Sequence, residues 1–277
     1  MKEDILAFLG GGNMATSLIA GLIDDGWDPD RILVSEPNPR QQHYLSDRFG
    51  VHVTQDNNRA AELGATVVFC VKPDIMATVT RGVASILRAR QPQPLVVSIA
   101  AGVREPDIRR WLGYDAAVVR AMPNTPALVR SGAAALYANA FVAESQRNRA
   151  ESILRAVGIT LWFEDEDMLD AATALSGSGP AYLFLWMELM ASAGERLGLS
   201  REAAQLLTLQ TALGAAKMAL ESSEPPGVLR SRVTSAGGTT EHALKVLQQA
   251  DLERAFHEAL DRARQRAVEL GRLYGGK

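Results

Sequence analysis

Two short runs carry residue types whose spacing does chemistry. In "FLGGGNMA", residues 8–15, Gly10, Gly12 and Ala15 fall in a GxGxxA spacing between an apolar, strand-like run and the start of a helical pattern. That order suits a dinucleotide. The first glycine permits a tight turn, the second lets a pyrophosphate approach the backbone, and a small third residue lets helix and strand pack closely. The helix-start N–H groups, around Asn13 and Met14, then offer themselves to the phosphates. In "TSAGGTT", residues 234–240, two adjacent glycines and two threonines stand between helical stretches. Paired glycines lose much conformational freedom on folding, so a plain connector explains them poorly. Bare backbone and two hydroxyls at a helix start suit an anion, and they equally suit a helix N-cap.

Such groups need elements to hold them. Over the first 160 or so residues, "ILAFLG", "RILVSE", "ATVVFCVK", "PLVVSIA", "AAVVRAMP" and "GITLWFE" read as strands, alternating with amphipathic helical segments at 14–25, 40–49, 75–88 and 145–157. The alternation predicts βαβ units and a parallel sheet covered on both faces. Ligands of such sheets sit at the carboxyl ends of strands. There the second strand ends in "VSEPNPR", with Glu36 21 residues beyond Ala15, placed to accept from a ribose 2′-OH and to repel a 2′-phosphate. Ser35, Asn38 and Arg40 would serve a phosphate were Glu36 turned away, so NAD and NADP both stay open, with Glu36 leaning to NAD. "VKPD" (71–74) and "SIAAGV" (98–103) sit at the same edge. Lys72 reads equally as a base, as a phosphate partner, or as backbone positioning beside Pro73.

After about Glu164 strand-like runs vanish, and "AYLFLWMELMASAGERLGL", "REAAQLLTLQTALGAAKMALE" and "DLERAFHEALDRARQRAVELGRLY" read as helices punctuated by Pro180, Gly198, "SSEPPG" and "SAGGTT". The expected organisation is an α/β domain over 1–163 and an all-helical domain over 164–277. The helix "YLFLWMELM" is apolar nearly all round, which implies burial on more than one side. Cover comes from the first domain or from a second subunit, and dimerisation is favoured.

The composition narrows the partners. The 277 residues are 47% hydrophobic and 22% charged, with a net charge of −3, which gives no basic field for nucleic acid or anionic membrane. No apolar run is long enough to span a bilayer, and the first run ends in a glycine turn without a cleavage site. Those signs point to the cytoplasm. The single cysteine, Cys70, reads as a buried, inert strand residue. His43, His52, His242 and His257 lack metal-ligand spacing, so no metal is expected.

Taken together, "FLGGGNMA", "VKP", "SIAAGV", "RAMPNTPALV", "LSGSGPAY", "GAAKM" and above all "VTSAGGTTEHAL" resemble the Δ1-pyrroline-5-carboxylate reductase family, in order across nearly the whole chain. The resemblance implies a Rossmann-like doubly wound N-terminal domain and a helical C-terminal domain through which two chains intertwine as a homodimer, with dimers assembling further into decamers. It implies reduction of the cyclic imine of 1-pyrroline-5-carboxylate to L-proline by NADPH or NADH. By analogy Ser35, Pro37 and Asn57 line the adenosine side, and Val71, Lys72 and Ala100 the path toward the nicotinamide. The substrate carries a carboxylate, so "SAGGTT" becomes its anion hole. Gly237 and Gly238 permit close approach, the N–H groups of Thr239 and Thr240 donate from a positive helix end, and the hydroxyls add donors.

Hydride addition to C=N is easy once the nitrogen is protonated, and a free imine takes that proton from water. The expected catalytic contact is the Thr240 hydroxyl on the ring nitrogen or carboxylate, with Ser235 and Thr239 completing the carboxylate site. Asn124 and Thr125 in "MPNTP", and Ser176 and Ser178 in "SGSGP", read as evenly as site residues or as turn and cap residues. Glu224 and Lys217 read as surface charges. Two competitors remain. A 3-hydroxyacid-type dehydrogenase would need a helical lysine, for which only Lys217 is available. A non-catalytic NAD(P)-binding sensor would leave "SAGGTT" unexplained.

Overall fold

Four-residue apolar runs make the strands at the centre of the sheet, and they are buried because helices cover both their faces. In a computed structural model that describes residues 4–276, β1 (Leu6–Leu9), β2 (Ile32–Ser35), β4 (Thr66–Phe69) and β5 (Leu95–Ser98) bury every residue. With β3 (His52–Thr54), β6 (Val118–Met122), β7 (Gly132–Ala138) and β8 (Gly158–Trp162) they form one sheet ordered β3-β2-β1-β4-β5-β6-β7-β8. The connections are α1 (Asn13–Asp24), α2 (Pro39–Phe49), α3 (Asn57–Leu63), α4 (Met76–Ala89), α5 (Glu105–Leu112) and α6 (Glu144–Arg155).

Alternation along each strand sorts its side chains into two cores. Leu6 and Phe8 join Ile32, Val34, Val68 and Val97 under Leu18, Ile19 and Leu22 of α1 and Ile153 and Leu154 of α6. Ala7 and Leu9 join Val67, Phe69 and Val96 under Met76, Val83 and Leu87 of α4 and Ile108 and Trp111 of α5. Each fully buried large side chain contributes about 1.5–3 kcal/mol of apolar burial, so both faces hold the sheet. This is the doubly wound arrangement, with the strand order reversing direction beside β1.

Two strands lie outside the sequence expectation. β3 has only three residues, "HVT", with His52 exposed, so it has no apolar run to betray it. β7, "GAAALYA", is alanine-rich and pairs antiparallel with β6, so the sheet is mixed rather than all parallel. Its direction follows from chain length. Parallel neighbours need a crossover of a dozen or more residues, whereas only residues 123–131, with a short 3-10 segment (Thr125–Val129) and left-handed Arg130 among them, join β6 to β7.

Beyond β8, α7 (Met168–Ala172) runs into a π turn (Thr173–Gly177). The residues up to Ser178, with those from Ala263 onward, form one compact unit, and Gly179–Arg262 form a second. The outermost ends of the two expected domains, residues 1–3 and 277, lie outside the described residues.

The helices that follow are α8 (Gly179–Arg196), α9 (Arg201–Glu221), α10 (Pro226–Arg232), α11 (Thr239–Gln249) and α12 (Leu252–Gly275). Within the second unit α8 packs on α9 where Gly194 approaches Ala204, and Trp186 stacks on Phe256 with ring centroids 6.3 Å apart. Yet α8 buries no residue, and Leu183, Phe184, Leu185, Leu189 and Met190 are 45–64% exposed. On α9, Leu206, Leu207, Leu209 and Leu213 are exposed as well. A single chain leaves this apolar surface bare.

Candidate active site

At the carboxyl edge of the sheet, β1 and β4 stop pairing at Leu9 and Phe69, and the chain turns at Gly10. Gly10 has φ +100°, and its N–H donates to the Ser35 carbonyl at 2.8 Å. A Cβ there would lie 2.8 Å from the Cys70 carbonyl oxygen and 3.2 Å from Val71 Cγ1, so only glycine fits. Gly12 differs. It is the N-cap of α1, and a Cβ on it would meet nothing within 4 Å. No side chain caps α1, and Asn13 is exposed and Met14 half-buried. An uncapped helix start with open space before it has the chemistry to accept a phosphate.

Glu36 is fixed from several sides. Its Oε2 accepts the Gly11 N–H at 2.8 Å and its Oε1 the Asn38 N–H at 2.9 Å, while its own N–H donates to the Thr54 carbonyl at 2.9 Å. Gln41 Nε2 donates to the Gly11 carbonyl at 2.6 Å. Gly11 and Gln41 therefore shape the loop, although neither stands out in the sequence. Gly11 is hidden as the middle of three glycines, and Gln41 lies in a polar helix. Ser35 Oγ donates to Asn57 Oδ1 at 2.7 Å, bringing two expected neighbours together. Pro37 is exposed beside them, and Asn38 is the N-cap of α2, accepting the Arg40 N–H at 3.0 Å.

Next along the edge, Val71 is half-buried and Lys72 exposed, and the Lys72 and Pro73 carbonyls accept from Ile75 and Met76 in the turn into α4. Ala100 is buried in the loop after β5, its N–H donating to Ser98 Oγ at 3.3 Å. Cys70 departs from its expected place in a strand. It lies one residue past β4 and is only partly covered, because the strand ends where Gly10 turns away. Burial of its thiol still pushes the ionisation upward.

After β6, Asn124 is a brace: its Nδ2 donates to the Ser176 carbonyl at 3.1 Å and its Oδ1 accepts the Ala133 N–H at 2.9 Å. Thr125 is exposed. Ser176 Oγ donates back to the Ala172 carbonyl at 3.1 Å, and the Ser178 N–H donates to the Thr173 carbonyl at 2.8 Å, so both serve the π turn. Buried Arg120 meets Glu166 at 2.6 Å, and Glu166 also accepts the Glu105 N–H at 2.7 Å. Arg104 pairs with Asp167, and with Asp170 at 2.5 Å. The Arg104 hydrogen bond holds the exposed Asp167 carboxyl below its ordinary range, whereas burial raises that of Asp170 despite the same arginine.

In the second unit, the Gly238 N–H donates to the Ser235 carbonyl at 3.0 Å, closing a turn whose third residue, Gly237, has φ +70°. Gly238 is the N-cap of α11 and has no side chain, so Thr239 and Thr240 are the first two helical residues and neither is the cap. Among the described residues their hydroxyls have no hydrogen-bond partner; Thr239 is exposed and Thr240 half-buried. Ser235 is exposed on the same turn. Glu241 Oε2 accepts the Gly237 N–H at 2.6 Å and Oε1 lies 3.1 Å from Lys245 Nζ. The backbone bond, then Lys245, hold this carboxyl below its ordinary range.

The remaining candidates stay at the surface. Lys217 is exposed, 3.8 Å from Glu221, and Glu224 pairs with Arg232. Neither meets the demand of a dehydrogenase for a placed helical base. His43 pairs with Asp47 and His52 with Asp30. Among the described residues no group of three or more His, Cys, Asp or Glu is placed to hold a metal ion, and no helix is long and apolar enough to cross a membrane.

Comparison with known proteins matches both parts. The family model for NADP oxidoreductase, coenzyme F420-dependent, covers residues 5–102, and that for pyrroline-5-carboxylate reductase dimerisation covers residues 166–270. A pyrroline-5-carboxylate reductase of Pseudomonas aeruginosa is 49% identical over 275 residues, 99% of this chain and 100% of the relative. The solved structure of a Coxiella burnetii pyrroline-5-carboxylate reductase has a TM-score of 0.92 at 48% identity, over 96% of this chain and 98% of its own. That of a Plasmodium falciparum pyrroline carboxylate reductase, with NADP bound, scores 0.87 at 28% identity over 98% and 99%. A Gly-turned sheet edge, an uncapped "SAGGTT" helix start and likeness along the full length agree: this chain belongs to the pyrroline-5-carboxylate reductase family.

Proposed function

We propose that this chain reduces 1-pyrroline-5-carboxylate to L-proline with a reduced nicotinamide dinucleotide. Its 49% identity, along the full chain, to a reductase of that name carries the reading. The residues present fit the cofactor: the space before Gly12 and the uncapped α1 suit a pyrophosphate, held by Gly10, Gly12, Asn13 and Met14. Ser35, Glu36, Pro37 and Asn57 take the adenosine side, and Val71, Lys72, Pro73 and Ala100 the nicotinamide side. When bound, the reduced nicotinamide supplies the hydride.

The chain's own part is binding and orientation. The N–H groups of Thr239 and Thr240 hold the substrate carboxylate at the start of α11, with Ser235 beside them and Gly237 and Gly238 allowing the approach. The Thr240 hydroxyl contacts the ring nitrogen or carboxylate. The imine arrives protonated from water, so no dedicated acid is needed. Thr240→Ala is expected to lower kcat about 100-fold, the scale for losing one placed polar group, with cofactor affinity kept. Unchanged turnover in that variant would remove Thr240 from the site.

NADH is the proposed preference. Glu36 is held at the end of β2 by two backbone N–H groups, where a 2′-phosphate would meet its charge. Oxidation of NADH and NADPH in parallel, with 1-pyrroline-5-carboxylate, tests both reaction and preference. The working form is a homodimer built through the helical part, with decamers as the further assembly, in the cytoplasm.

A further inference from the structure

The turn that leads into the anion hole already holds an anion. Glu241 stands at the third position of α11, and its carboxylate bends back to take the Gly237 N–H at 2.6 Å, one turn of backbone from the amides of Thr239 and Thr240. Of the five N–H groups from 237 to 241, Gly238 serves the local turn, Gly237 serves Glu241, and the first helical amides are left. The other oxygen of Glu241 already pairs with Lys245, 3.1 Å away and one helical turn on, so the carboxylate keeps one partner if it leaves Gly237. Hydrogen bond and cation together keep the group ionised, below its ordinary carboxyl range.

We propose that Glu241 is a specificity-determining residue: an internal carboxylate beside the start of α11 that repels the carboxylates of substrate and product there, and that gives up the Gly237 N–H while keeping Lys245 when either binds. The proposal rests on the carboxylate site assigned above. Repulsion of this kind weakens binding of the imine, and it weakens binding of L-proline equally, because both carry the same carboxylate. The gain is release of product.

The test is steady-state kinetics of the full chain as wild type, Glu241→Gln and Lys245→Met, varying 1-pyrroline-5-carboxylate at saturating reduced cofactor, with L-proline as inhibitor. Glutamine keeps an oxygen for the Gly237 N–H and removes the charge, so the turn is preserved. The expected result is that KM for the imine and Ki for L-proline both fall about fivefold in Glu241→Gln, the scale of carboxylate repulsion across a few Å of water. In Lys245→Met both should rise, and cofactor affinity should stay put in each variant. The proposal is overturned if the two constants rise in Glu241→Gln, as a merely structural support would require, or if they move apart or not at all. A readout without turnover separates this from the reaction itself: acetate titrated against the Thr239 and Thr240 amide resonances should bind more tightly in Glu241→Gln. A wild type that never oxidises cofactor would defeat the reductase reading, while the acetate titration would still decide the role of Glu241.

Discussion

A methyl group added to Gly10 and one added to Gly12 should have opposite consequences. On Gly10 it meets the Cys70 carbonyl and a left-handed backbone, so Gly10→Ala should destabilise the fold by about 1–3 kcal/mol, read as a lower midpoint in urea. On Gly12 it meets no protein atom, so Gly12→Ala should keep that midpoint and weaken cofactor binding about tenfold, the upper range for one hydrogen bond. Equal loss of stability in both would mean that the loop, rather than a ligand, needs the second glycine. Glu36→Gln should raise the NADPH-to-NADH activity ratio, since it removes the charge proposed to lie beside the ribose while leaving an oxygen for the Gly11 N–H. At this scale the sequence shows which residues are special but not what they touch. Gly10, Gly12 and Glu36 are legible by spacing. The bond from Gly11 to Glu36 joins residues 25 apart and has no local signature. Glu241 does have one, an acid at the third helical position, but the threonines beside it draw the eye first.

Between β6 and α7, charges buried against the sheet hold the elements in register. Arg120 and Glu166 are both largely covered, so Arg120→Met strands a carboxylate and should cost about 3–5 kcal/mol in chemical denaturation. Asp167 sets a pH dependence. Its folded pKa lies below the unfolded one, so its pairing with Arg104 adds stability above about pH 4 and loses it as pH falls through the folded value. The stability gap between wild type and Asp167→Asn should therefore close on acidification, and a gap that persists at pH 2 would assign the loss to packing. Elements with strong periodicity or β-branched runs were readable: β1, β2, β4, β5 and α1 lie where the pattern places them. "GAAALYA" was not, since alanine favours helix and only pairing with β6 and β8 makes it a strand. Nor was the π turn, whose local sequence "TALSG" resembles any helix end.

The molecule as a whole carries more apolar surface than one chain covers. Leu206, Leu209 and Leu213 on α9 are exposed, as is most of α8, in the region matched by a dimerisation family. Leu209→Glu should shift sedimentation from dimer toward monomer and leave the helix content intact. The first unit carries a different kind of limit. Six strands from β3 through β6 run one way and β7 and β8 run the other, so the row of carboxyl ends stops at β6 and an amino end, Gly132, takes the next place. From β2 to β6 is four strand spacings, about 19 Å. The sheet is thus a ruler with a fixed stop. Insertions in its loops can alter how firmly an elongated ligand is gripped, but the distance between its two ends is set by the number of strands beneath it.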